Sequence, residues 1–203
     1  EQNRLAPTLA MIMAASLVGS ITGYTVPLIS LELAQQQIDT VYVGLLAALP
    51  PAGMMISSFL SPALCRRFEM GLLLSVSLVA LAAATIASCL SFDMLHLLLP
   101  RLVTGLASGV IIVIGESWIT GGAAGKNRAT LTGIYASAFT GCQLAGPLLI
   151  SAGEAWQSWT LLLVGVVTLA CLLMLRHLPT GSRERLAERA SWRSLGAFLP
   201  EIG

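Results

Sequence analysis

Charge is what this sequence has least of. Asp, Glu, Lys and Arg make up 10% of its 203 residues, against about 25% in a soluble globular domain. That scarcity excludes an ordinary water-soluble chain, and a formal net charge of +1 gives no support for binding a nucleic-acid backbone. Cysteine is sparse too. Cys65, Cys89, Cys142 and Cys171 fall in or beside different apolar runs without CxxC or Cys/His spacing, which argues against a disulfide framework or a metal site and leaves them as small apolar side chains. His96 and His177 are solitary, lie at the ends of apolar runs and read as interfacial residues. There is no phosphate-binding glycine loop and no Ser, His and acid set, so neither an enzyme nor a cofactor is expected.

What the chain has in quantity is uncharged length, for 56% of it is hydrophobic. Between Arg4 and Glu32, Asp39 and Arg66, Glu69 and Asp93, Arg128 and Glu154, and Glu154 and Arg176 lie charge-free runs of about 21 to 27 residues, each sufficient to cross a hydrocarbon core of roughly 30 Å as a helix. The segment from Leu97 to Thr120 makes a sixth, with Arg101 and Glu116 inside it. The first run is longer than a signal-peptide core and lacks a polar cleavage region, so it reads as a span. The expectation is an all-α membrane protein whose six transmembrane helices, at about 6–31, 40–65, 70–92, 97–120, 129–152 and 156–175, form a bundle over residues 1–178. Residues 179–203 then form a cytoplasmic linker with a polar helix from about Ser182.

Basic residues orient the bundle. Six alternating spans put Arg4, Arg66 and Arg67, Lys126 and Arg128, and the tail with Arg176, Arg183, Arg185, Arg189 and Arg193 on one side of the membrane. The opposite loops, around "AQQQID", "SFDMLH" and "SAGEAWQ", hold no Lys or Arg. By the positive-inside rule the N-terminus and the tail are cytoplasmic, as in a multi-pass protein of a bacterial inner membrane. This partition holds only if the charged fourth segment crosses.

A charge at the centre of a bilayer costs at least about 2.5 to 3.5 kcal/mol, so that segment must present its charges to protein or water. Arg101, Gly105, Gly109, Ile112 and Glu116 follow steps of three and four and share a helix face. Gly133, Ser137, Gly141 and Ala145 repeat at four in the fifth span, as do Ala15, Gly19 and Gly23 in the first. Small residues so spaced let helix backbones approach closely in lipid. Pro27, Pro50, Pro51 and the Gly146-Pro147 pair each interrupt a span. Ordinary close packing would explain any one stripe; together with buried charge they suggest a polar interior.

Three stretches carry a family resemblance. "RLVTGLASG" is similar to the fourth-helix motif of the major facilitator superfamily, and "GKNRATLTGIYASAFTGCQLAGPLLI" resembles that family's loop into helix five, with its Gly-Pro pair. "SFLSPALCRRFEM" sits where the family places its signature loop between helices two and three. The departures are specific: Cys65 or Arg66 stands at the usual Asp position, Glu69 where Gly is common, and Cys142 where helix five would carry a glycine before Gly-Pro. The resemblance covers the N-terminal six-helix half of a transporter that has twelve helices in two halves, with substrate between them. The tail resembles the linker between halves, so the chain reads either as a piece of a longer transporter or as a half-transporter working as a homodimer.

The resemblance implies a secondary active transporter that moves a small organic solute by alternating access with proton coupling. Its partners would be the bilayer, the solute, protons, and a C-terminal six-helix half or a second copy of the chain. Arg101 would face the central cavity with Tyr24, Tyr135, Ser137 and Gln143 as further lining candidates; the alternative is that its long side chain snorkels to the interface. Glu116 would gate the cytoplasmic side by pairing with Arg66, Arg67 or Arg128, or would carry a proton. Gly19, Gly23, Gly105, Gly109, Gly133, Gly141, Gly146 and Pro147 would pack helices. A different class, a non-transporting six-helix assembly or interaction subunit, fits the same composition. Reporter fusions after Gln36, Asp93 and Gly153 should report the outside, and fusions after Arg67, Lys126 and Arg183 the cytoplasm; a single reversed loop would remove a span.

Overall fold

The computed structural model describes residues 2–90, 93–122, 126–150 and 173. The expected sixth span, at about 156–175, falls almost wholly outside the described residues, and the linker over 179–203 lies entirely outside them. The described chain is helical, with no strand: α1 (Gln2–Gln35), α2 (Thr40–Arg67), α3 (Met70–Leu90), α4 (Met94–Gly122) and α5 (Lys126–Ile150). Of these, α1 from Thr8, α2, α3 to Ser88 and α4 to Gly121 are long and apolar enough to cross a membrane. The 25 residues of α5 would reach about 37 Å, but Thr130, Thr132, Ser137, Thr140 and Gln143 make it the more polar helix.

Hydroxyl groups in such helices need partners that lipid cannot supply, and they find them in their own backbone. Ser16, Ser20, Thr22, Thr25 and Ser30 of α1 each donate to the carbonyl four residues back, at 2.7–2.9 Å. Ser61, Ser75, Thr85, Ser88 and Ser117 do the same in α2, α3 and α4. A helix rich in Ser and Thr is therefore still apolar outside.

Helix α1 lies along α5, α2 lies along α4, and α4 also meets α3 and α1. The main core is built by α1, α3 and α4 with Tyr135 of α5, and contains Met11, Leu17, Val18, Ile21, Leu74, Leu78, Leu81, Ile111 and Ile114. A second, smaller cluster joins Ile29 and Leu33 of α1 to Leu46 of α2 and Leu97 of α4. Helices α1 and α4 are the most enclosed, whereas α2 turns Val41, Leu45, Met55, Ile56 and Phe59 outward.

The turn from α1 to α2 shows how local chemistry ends one span and starts the next. The Ile38 amide donates to the Leu33 carbonyl and the Gln37 amide to Ala34, both at 3.1 Å, with Gln37 at φ 59°. This is the paired bonding that closes a helix through a left-handed residue, and Ile38 packs on the cluster containing Leu33, as that closure favours. Two residues on, the Asp39 carboxylate accepts the Val41 amide at 3.0 Å and caps α2. Gln37→Gly should raise stability by up to about 1 kcal/mol, because glycine has no Cβ to oppose the left-handed backbone. Asp39→Ala should lower it by about 1 kcal/mol through loss of the cap. Thermal unfolding in detergent reads both shifts, which should have opposite signs.

Candidate functional site

The site begins with how closely the helices touch. A Cβ placed on Gly19 would overlap the Phe139 carbonyl, and one on Gly23 would overlap the Gln143 carbonyl. From the other side, a Cβ on Gly146 would collide with the Gly23 peptide group. Backbone therefore lies on backbone along the α1–α5 seam, with the two helices parallel and in constant register. The α2–α4 seam repeats the arrangement: Gly105 meets Pro50, Gly109 meets Met54 and Ser57, and Gly53 meets Leu102 and Leu106. It too is parallel, as expected of helices that cross in the same direction.

These seams carry α4 deep into the bundle, and Arg101 with it. Its side chain is 2% exposed. One terminal nitrogen, Nη2, donates to the Thr25 carbonyl at 2.9 Å, and Nη1 donates to the Thr25 hydroxyl at 3.3 Å. That hydroxyl donates in turn to the Ile21 carbonyl at 2.7 Å, which turns its oxygen lone pairs toward the guanidinium. Arg101 thus bonds across to α1 inside the bundle. It neither snorkels outward nor opens on a cavity in this conformation, because an acceptor pair on α1 stands within reach of the planar fork.

The other end of α4 is different. Glu116 lies fifteen residues further along the helix, about 22 Å away, and is exposed, as are Arg66 and Arg67. The α2–α4 register puts Ser61 at the height of Glu116 and Arg66 about one and a half turns further along α2. The side chain of Arg128 is outside the described residues. Beside Glu116, the Tyr135 hydroxyl donates to the Ile112 carbonyl at 3.3 Å, and Gly115 leaves room for that ring, since a Cβ there would stand 2.8 Å from the hydroxyl.

The remaining candidates divide by face. Tyr24 and Tyr135 are buried, whereas Ser137 and Gln143 are exposed on α5. Gly133 and Gly141 are exposed as well, and a Cβ on either would meet nothing within 4 Å among the described residues. This differs from the expectation that both pack helices: α5 turns Phe139, Cys142 and Gly146 toward its neighbours, so residues 133, 137 and 141 point the opposite way. Two residues that sequence reasoning passed over matter here. Thr25 supplies two acceptors for Arg101. Ser108, fully buried two turns along α4, has no hydrogen-bond partner for its hydroxyl among the described residues. A buried arginine signals that an acceptor must face it, but choosing Thr25 requires the helix register.

A family model described as Major Facilitator Superfamily matches residues 8–200. No curated protein sequence matches the chain. Among solved structures, the chain is similar to the xylose transporter XylE from E. coli in its inward-open conformation, at 18% identity and a TM-score of 0.71, over 93% of this chain and 51% of that one. It is similar to a D-xylose-proton symporter at the same identity and TM-score, over 95% of this chain and 53% of the other. The chain therefore spans about half the length of these structures, and at this identity the likeness shows the fold.

Glycines on the two faces of α5 should respond differently to added side chains. Gly146→Ala and Gly23→Ala must push the paired backbones apart and should each cost about 1 to 3 kcal/mol. Gly133→Ala and Gly141→Ala should be neutral or stabilise this chain by about 0.5 to 1 kcal/mol through helix propensity. Thermal unfolding of the four variants in detergent distinguishes these faces; equal losses would contradict the seam.

Proposed function

Because this chain belongs to the major facilitator superfamily, we propose that it forms one half of a secondary active transporter that moves a small organic solute by alternating access, driven by a proton gradient. The observation that carries the reading is the exposed face of α5. Ser137 and Thr140 share it with Gly133 and Gly141, and Gln143 is exposed at the edge of the α1 seam; polar side chains on a membrane helix are placed against protein or water in preference to lipid. Such a face fits a second six-helix body, either a C-terminal half or a second copy of this chain, with a watered path between the two. The outward apolar residues of α2 supply the rest of that contact surface.

In this reading solute binds between the bodies, and Arg101, always protonated, brings positive charge to the outer third of the path. Release from Thr25 would free its fork for an anionic group of the solute or for the coupling step. Ser108, buried at mid-helix with an unused hydroxyl, is a further polar group that rearrangement could present. Glu116 would close the cytoplasmic end by bonding to Arg66, Arg67 or Arg128. The arginines of α2 begin about 8 Å beyond the height of Glu116, within reach of an extended side chain. The xylose-named neighbours make pentoses a rational first solute to try.

Proton-driven uptake into vesicles carrying the full-length protein tests the assignment. Arg101→Ala should abolish coupled movement, and Arg101→Lys should restore it only partially, since an ammonium keeps the charge but loses the planar fork. Glu116→Gln should weaken a charge-assisted bond of about 1.5 to 3 kcal/mol and shift accessibility toward inward-open. Wild-type transport in Arg101→Ala and Glu116→Gln alike would refute these roles.

A further inference from the structure

Ser61 of α2 and Ser108 of α4 are both wholly enclosed, yet their hydroxyls behave differently. Ser61 does what most hydroxyls of these helices do and donates to the carbonyl four residues back, that of Ser57, at 2.6 Å. Ser108 has the same option in the Thr104 carbonyl and does not take it: its hydroxyl meets no hydrogen-bond partner among the described residues. A hydroxyl shut away from solvent without a bond is costly, and folding it back would be the simple remedy. Its direction therefore calls for a partner on another side.

That partner is not on α1. From the Arg101–Thr25 contact, seven residues on along α4 and seven back along the antiparallel α1 set Ser108 level with Val18, whose side chain offers only methyl groups. On α2, two oxygens stand close by. A Cβ on Gly109, the residue after Ser108, would overlap the Ser57 hydroxyl and lie 2.9 Å from the Met54 carbonyl. The Met54 carbonyl is already engaged, since Ser57 and Ser58 both donate to it, at 2.9 and 2.8 Å. Ser57 uses its one proton in that bond and keeps lone pairs that can accept. It is 2% exposed, so an acceptor and an unbonded donor are enclosed in the same part of the seam. The two hydroxyls share no hydrogen bond with each other, which leaves a bridge between them to be filled.

We propose that one water molecule is bound between Ser108 and Ser57 as a fixed part of the α2–α4 seam. Ser108 donates to the water oxygen, and the water donates to Ser57, whose own proton stays on the Met54 carbonyl. Buried waters held by such otherwise unsatisfied groups are a regular part of protein interiors. The chemistry of the site selects water over a cation: its oxygens are hydroxyls without a carboxylate, and no group of three or more metal-binding side chains forms among the described residues. The bridge adds a polar link to a seam that otherwise rests on glycine packing. The site is independent of which solute is carried, and its failure would leave the transporter reading standing.

Thermal unfolding of the full-length protein in detergent tests it, because a bridged hydroxyl and an unbonded one respond to removal with opposite sign. Ser108→Ala should lower the midpoint by about 2 °C, whereas the loss of an unbonded hydroxyl would raise it. Ser57→Ala should lower it as well, and the double variant should lose clearly less than the sum of the two, since each single change already removes the same water. A midpoint raised by Ser108→Ala overturns the site, and so do additive losses. Density maps that resolve ordered water should show a peak within hydrogen-bond distance of both oxygens in the wild type and none in Ser108→Ala. A direct bond between Ser57 and Ser108 in those maps, or a Ser108 hydroxyl folded back on Thr104, overturns the site too.

Discussion

The direct contact of backbone with backbone between α1 and α5, and between α2 and α4, is the constraint on which the rest of the structure depends. In lipid there is no hydrophobic gain from bringing two apolar helices together, so association rests on close packing and on polar contacts. Glycine at 19, 23 and 146 in one seam, and at 53, 105 and 109 in the other, removes the only atoms that would hold the axes apart. The resulting depth of α4 is what leaves the Arg101 side chain almost without exposure and puts Thr25 within 2.9 Å of it. Wider seams would return that side chain to the lipid interface.

Most hydroxyl groups in this bundle follow one rule, and the exceptions are informative. Most of the hydroxyls of α1, α2 and α3 fold back on their own helices, so they neither demand water nor mark a site. Thr25 does more, since its hydroxyl both donates locally and accepts from another helix. The exposed face of α5 departs in the other direction, by showing Ser137, Thr140 and Gln143 outside.

Much of this was legible from residue spacing, because apolar length and basic asymmetry are one-dimensional signals. Four helices long and apolar enough to cross a membrane, α1 to α4, overlap the apolar runs, three of which are charge-free while the fourth holds Arg101 and Glu116; caps such as Asp39 and the left-handed Gln37 set helix ends. The glycines of α4 could be assigned to a packing face, since Gly105 and Gly109 share it with each other. Spacing could not show which of the two faces of α5 would pack: Gly133 and Gly141 repeat at four, yet Gly146, one residue out of that phase, makes the contact. The partner of Arg101 was illegible for a similar reason, as it depends on the relative height of two helices 76 residues apart in sequence.

The two charges of α4 therefore stand in unlike physical situations, and that asymmetry bears on how such a half-bundle can work. Arg101 is tied through its two terminal nitrogens to Thr25 of α1, so its end carries a fastening inside this chain. Glu116 is exposed at the other end, where α2 brings Arg66 and Arg67 to the surface. One end of the helix is set by packing inside this chain, and the other is left to be set by what approaches it. The exposed Glu116 end therefore responds to its surroundings more readily than the buried Arg101 end.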